Sequence, residues 1–142
     1  MKNKLLFSFG ILVGALFIMG AQQQGTAKQL NQALPIRTYA ALRDSANSMD
    51  VILYLGKGGS LSLSGKDVRL FGSFFENKTA VKTNAQQAGM AMWQIDGREL
   101  ISGNFYLGDS TGFIIFKKDG KEYVNSISNQ GNSFFKRQMG LQ

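Results

Sequence analysis

Twice in the second half of the chain an Asp-Gly pair stands between two runs rich in β-branched and aromatic residues. Asp96–Gly97 separates "MAMWQI" from "RELISG", and Asp119–Gly120 separates "GFIIFKK" from "KEYVNSIS". A type I′ turn needs positive φ at both central residues, which Asp tolerates and Gly adopts freely, and its twist suits the strands it joins. Each pair therefore predicts a tight hairpin. Two hairpins so close together favour antiparallel pairing of sequence neighbours over a helix-linked parallel sheet.

The upstream sequence reads in the same way. "MDVILYL" from Met49 is a continuous apolar run suited to a buried strand, "GKGG" at 56–59 is a turn, and "SLSLS" alternates with Leu61 and Leu63 on one face. After a turn at "GKD", the stretch "VRLFGSFF" from Val68 reads as a further strand, with Val68, Leu70 and Phe74 on one face. "ENKT" interrupts it, "AVKT" from Ala80 is a short strand, and "NFYLGDST" from Asn104 supplies another strand and turn. The total is about eight short strands separated by glycine-containing turns, in a chain with 17 Gly and a single Pro. This predicts a mainly β fold: a small antiparallel β-sandwich or barrel of about eight strands.

A short amphipathic helix precedes the strands. Pro35 is suited to a first helical turn, and Ile36, Tyr39, Ala40 and Leu42 follow at helical spacing, predicting a helix over about 36–47 with Arg43 and Asp44 in solvent. The C-terminal "NSFFKRQMGLQ" shows no clear period. A tail this apolar either folds back on the core, the reading we favour, or docks elsewhere. In the second case Phe134, Phe135, Lys136 and Arg137 would meet a partner or an anionic membrane surface.

The N-terminus raises a separate question. Residues 5–21 hold no charge, and Leu5, Leu6, Phe7, Phe9, Ile11, Leu12, Val13, Leu16, Phe17 and Ile18 make the segment strongly apolar. Seventeen residues of helix reach about 25 Å, against a hydrocarbon core of about 30 Å. That is long for a signal peptide and short for an anchor. Cleavage after Ala21 would put the bulky Met19 at −3, and cleavage after Ala27 would fall six residues beyond the apolar run. We read residues 1–21 as a retained membrane span, with a cleaved signal as the alternative. Lys2 and Lys4 keep the N-terminus cytoplasmic and send the domain outward, to the periplasm, the cell surface or a virion exterior. Gly10 and Gly14 form a G-x-x-x-G pair that would allow a second helix to approach, and so a homo-oligomer, although two ordinary glycines are the plainer reading. Residues 22–35, rich in Gln and Asn, form a polar spacer, and residues 36–142 the exported β-rich domain.

Composition excludes several chemistries. The chain has no Cys and no His, so disulfides, cysteine-based zinc sites, thiol nucleophiles and serine–histidine mechanisms are impossible. We expect no cofactor and no metal. Of the nine carboxylates, Asp67, Asp96, Asp109 and Asp119 sit at glycine-flanked turns, which is a structural role for Asp. "GDSTG" from Gly108 lacks the spacing of a nucleophile elbow, and "GKGGS" from Gly56 lacks that of a phosphate loop. The formal charge is +7, from 16 Lys+Arg and 9 Asp+Glu. Setting aside Lys2 and Lys4 leaves 14 minus 9, or +5, a mild excess that reads as a solvated basic surface. Lys117, Lys118 and Lys121 lie beside Phe113, Phe116 and Tyr123 on the last hairpin. Those aromatics alternate as core positions do, so nucleic acid is not the expected partner. The resulting expectation is a non-enzymatic, membrane-anchored structural protein that touches lipid and other protein subunits. A minor structural protein of a membrane-containing virion and a subunit of a cell-envelope complex are two such settings. The alternative is a secreted or periplasmic binding module released after cleavage.

Overall fold

Glycine and the hydrophobic pattern set the order of elements in the computed structural model, which describes residues 31–141. Helix α1 (Ile36–Asp44) leads into strands β1 (Ser48–Leu53) and β2 (Gly59–Ser64), and helix α2 (Lys66–Gly72) follows. Strands β3 (Phe75–Thr79), β4 (Gln86–Ile95), β5 (Arg98–Leu107), β6 (Gly112–Lys118) and β7 (Lys121–Ile127) come next, and helix α3 (Asn129–Met139) closes the described chain.

All seven strands join one sheet in the order β2-β1-β4-β5-β6-β7-β3, and every pairing is antiparallel. The expected mainly β antiparallel domain is therefore present. It is layered as a sandwich is, but the second layer is helical and the sheet does not close into a barrel. Both Asp-Gly pairs form the hairpins their chemistry predicts. Asp96 and Asp119 have φ of 50° and 52°, with Gly97 and Gly120 at 75° and 73°. The short predicted helix also forms, ending at Asp44.

One face of the sheet carries the core. Met49, Val51 and Leu53 of β1, Trp93 of β4, Phe105 of β5, Ile114 and Phe116 of β6 and Ile127 of β7 are buried together with Leu42 of α1, Val68 of α2, and Phe135 and Met139 of α3. Alternation along each strand sends the intervening residues to the opposite face, where, among the described residues, Phe113 and Val124 are buried while Ile52 is exposed. In β4 a bulge at Ala88 breaks the alternation, and the next residue must be small. A Cβ on Gly89 would lie 2.6 Å from the Phe105 ring and still closer to the Ile52 carbonyl.

Three sequence expectations are corrected. The stretch from Val68 to Phe75 is not one strand: residues 66–72 are helix α2, and only Phe75 begins a strand. Val68, Phe71 and Phe74 recur every three residues and turn inward, whereas Leu70, which period two would bury with Val68, is 55% exposed. Gly65 leaves the extended region at φ 56°, and Asp67 sits in the first helical turn, where the backbone N–H groups favour an anion. "AVKT" is not a strand either, and "ENKT", read as a break, is most of β3. Residues 80–85 must carry the chain from the outer edge of the sheet to β4, so they leave the ladder after Ala80 N–H donates to the Val124 carbonyl.

The tail folds back. Ser128 caps α3 by accepting the Gly131 N–H through its hydroxyl, and Gly140 at φ 70° ends it with a Leu141 N–H bond back to the Lys136 carbonyl. Phe135 is fully buried, its ring 4.9 Å from that of Phe105 and 5.7 Å from that of Phe75. Phe134 packs on Phe71 at 5.0 Å. Lys136 and Arg137 stay outside, Lys136 donating to the Asp109 carbonyl at 3.0 Å.

Asn125 ties the start of the described chain to the sheet. Its side-chain oxygen accepts the Leu34 N–H at 2.9 Å. Its amide donates to the Glu76 carbonyl at 2.8 Å and to the Asn77 side chain at 3.1 Å. Those bonds span the place where the β3–β7 register shifts, and they account for a fully buried Asn in an apolar core.

Candidate functional site

A concavity lies where α1 and α2 meet the core face of the sheet. It is a cavity of about 520 Å³, open at one side. Phe75, Trp93 and Phe116 form its inner wall, and Tyr39 and Leu42 of α1 form another. Gly72 and Ser73, at the end of α2, leave room because they carry almost no side chain. Arg43 and Arg69 stand at the rim with Glu76 and Asn77. An apolar interior with a few polar groups at the mouth is the usual make-up of a small-molecule pocket.

The rim groups differ in how far they are committed. Arg43 donates twice to its neighbour Asp44, Nε to Oδ1 at 2.8 Å and Nη2 to Oδ2 at 2.9 Å. These bonds hold the Asp44 carboxyl below its ordinary value and raise the guanidinium further. Both side chains are more than half exposed, so the pair contributes little to stability. Arg69 forms no ion pair among the described residues. Tyr39 donates its hydroxyl to the Phe75 carbonyl at 2.9 Å, and burial raises its pKa. The Glu76 carboxylate is occupied elsewhere, accepting from the Ser126 hydroxyl at 3.0 Å and from Lys78.

The opposite face of the sheet is the second notable surface. Ile52 and Tyr54 are 38% and 50% exposed there, and Leu100, at the β4–β5 register shift near the Asp96–Gly97 hairpin, is 37% exposed. Met90, Met92 and Ile115 are half-buried around them. Asp50 accepts from Ser62 at 2.6 Å and from Gln94 at 3.0 Å, so its charge is held by neighbours on the same face. Beside it, β2 ends the sheet of the described residues, an edge of alternating Ser and Leu with no charged side chain.

The residues singled out in the sequence fall as follows. Leu5, Leu6, Phe7, Phe9, Ile11, Leu12, Val13, Leu16, Phe17, Ile18, Gly10 and Gly14 lie outside the described residues. Among the described residues no helix is long and apolar enough to cross a membrane, and no cluster of three His, Cys, Asp or Glu could hold a metal ion. "GDSTG" is the β5–β6 turn, closed by the Gly108 N–H donating to the Thr111 carbonyl at 2.8 Å. Phe113 and Phe116 of the last hairpin are buried and present no stacking surface beside Lys117, Lys118 and Lys121. Sequence reasoning missed the cavity. Its rim includes Arg69, Gly72 and Ser73, which a strand reading of residues 68–75 scattered over two faces. The helical recurrence of Val68, Phe71 and Phe74 was the signal that could have found it.

These features define a seven-stranded antiparallel sheet with helices on one face, an aromatic cavity under those helices and a partly exposed second face. No family model, no curated protein and no solved structure matches the chain.

Proposed function

We propose that this chain is a non-catalytic interaction protein, tethered by its N-terminal apolar run, whose exported β-domain joins other protein subunits to a membrane. The observation that carries the reading is the sheet face opposite the helices, where Ile52 and Tyr54 lie exposed in a chain without His or Cys. Adjacent exposed apolar side chains such as Ile52 and Tyr54 on an otherwise well-packed domain mark a contact surface. A half-buried Met-rich patch is adaptable enough to receive one. A structural role in a membrane-containing virion or in a cell-envelope complex fits this arrangement.

Native mass measurement after gentle detergent extraction tests the proposal. The wild-type protein should migrate within a larger assembly, and Ile52→Asp with Tyr54→Asp should release it while leaving the fold intact, since both side chains already meet solvent. A wild-type chain that runs alone and turns over a substrate would overturn the reading. The cavity favours a second reading, a secreted or periplasmic binding module released after cleavage. In that case the purified protein would be water-soluble and would lack residues 1–21.

A further inference from the structure

The cavity is more specific than an apolar hollow. Trp93 is 1% exposed and makes no side-chain hydrogen bond among the described residues, its indole N–H opening on the cavity rather than being sealed in the core. Here Nε1 borders Gly72 on the cavity wall, and a Cβ on Gly72 would lie 3.8 Å from it. The cavity wall thus offers a hydrogen-bond donor to whatever fills the space beside Gly72. At the mouth, Arg69 forms no ion pair among the described residues, although Asp44 lies near enough to feel its charge, and Arg43 keeps donor capacity that Asp44 does not use. Glu76, the other acid of the rim, is engaged by Ser126 and Lys78. The walls between are flat rings, Phe116 and Trp93 5.6 Å apart with Tyr39 across from them.

We propose that the cavity binds a small amphipathic anion: an aromatic or short apolar body bearing one carboxylate or sulfonate, the charge on Arg69 and the ring against Trp93 and Phe116. An anion is favoured over a cation because the uncommitted charge at the rim is positive. A guanidinium also grips a planar carboxylate through two parallel N–H bonds. A cavity of about 520 Å³ lies within the range that small ligands fill.

Trp93 is the only tryptophan of the chain, so its fluorescence excited at 295 nm reports on the site directly. The test titrates the full-length chain in nanodiscs with 3-phenylpropanoate, and in parallel with 3-phenylpropanol and 3-phenylpropylamine. The carboxylate should give a saturable change, the alcohol should bind about tenfold more weakly, and the amine should give none. Arg69→Ala should weaken the carboxylate about tenfold and leave the alcohol unchanged. Gly72→Leu should abolish the response to all three by filling the space beside the indole, with circular dichroism confirming that the protein stays folded. Equal responses to carboxylate, alcohol and amine, or an unchanged carboxylate affinity in Arg69→Ala, would overturn the proposal. So would a full response in folded Gly72→Leu. The site is independent of the opposite sheet face, so losing either proposal leaves the other standing.

Discussion

Truncating Phe135 tests whether the C-terminal helix is part of the core or an appendage. The ring is fully buried and has four aromatic neighbours, with centroids 4.9 Å away at Phe105, 5.5 Å at Phe134, 5.7 Å at Phe75 and 6.0 Å at Phe74. Removing a buried phenylalanine side chain costs about 3–5 kcal/mol, from lost transfer energy and from the cavity left behind. The aromatic pairs add more than their buried area alone, which places Phe135→Ala near the top of that range, at about 4–5 kcal/mol. A domain of this size is stable by about 5–15 kcal/mol, so the variant should lose a third or more of the total. The melting temperature should fall by about 20 °C. Urea unfolding followed by Trp93 fluorescence measures the loss, with an unchanged denaturant slope showing that the same surface is exposed. Phe134→Ala, half-buried, should cost about half as much. The reasoning fails if Phe135→Ala costs less than about 1 kcal/mol, the size expected for exposed Arg137→Ala.

Gly56 and Gly97 separate backbone strain from crowding. Both have positive φ, at 58° and 75°, but a Cβ on Gly97 meets nothing within 4 Å, whereas one on Gly56 would press into the Met139 carbonyl at the end of α3. Gly97→Ala should cost about 1 kcal/mol and Gly56→Ala at least about 2 kcal/mol more, read from paired urea curves. Asn125→Ala strands the Leu34 N–H and the Glu76 carbonyl, costs about 2–4 kcal/mol, and should speed proteolysis near residue 34. The hydrogen bond from Lys82 lowers the Glu122 pKa below its ordinary 4.5. A depressed carboxylate contributes stability above its unfolded value and loses it as the pH falls through the folded value. Lys82→Ala should therefore be less stable than wild type at pH 7 and converge on it once the pH has fallen through the lowered Glu122 value, by a small margin because both groups are over 40% exposed.

How far the sequence could be read depended on whether one period stood alone. The Asp-Gly hairpins were legible because positive φ at two adjacent residues has few other solutions. Helix α1 was legible through Pro35 and the spacing of Tyr39 and Leu42. Residues 68–75 were not, because "VRLFGSFF" satisfies period two and period three together. Only the left-handed Gly65 and the exposure of Leu70 show which prevails. The tail hid its helix for a related reason. In "NQGNSFFKRQM" the inward residues Gly131, Asn132, Phe135 and Met139 keep helical spacing, yet two of the four are not apolar. The crossing from β3 to β4 was illegible because nothing local states that β3 pairs with β7, about 50 residues later. The cavity depends on both helices lying over one end of the sheet, a tertiary fact. Its rim residue Arg43 reads from sequence only as a solvated cation.

Intact-mass measurement of the protein isolated from its native membranes, with its partition between the detergent and aqueous phases, bears most directly on the tether. A mass that includes residues 2–21, found in the detergent phase, is the result the account predicts. A chain beginning at Gln22 or Lys28 and recovered from the aqueous phase would contradict it.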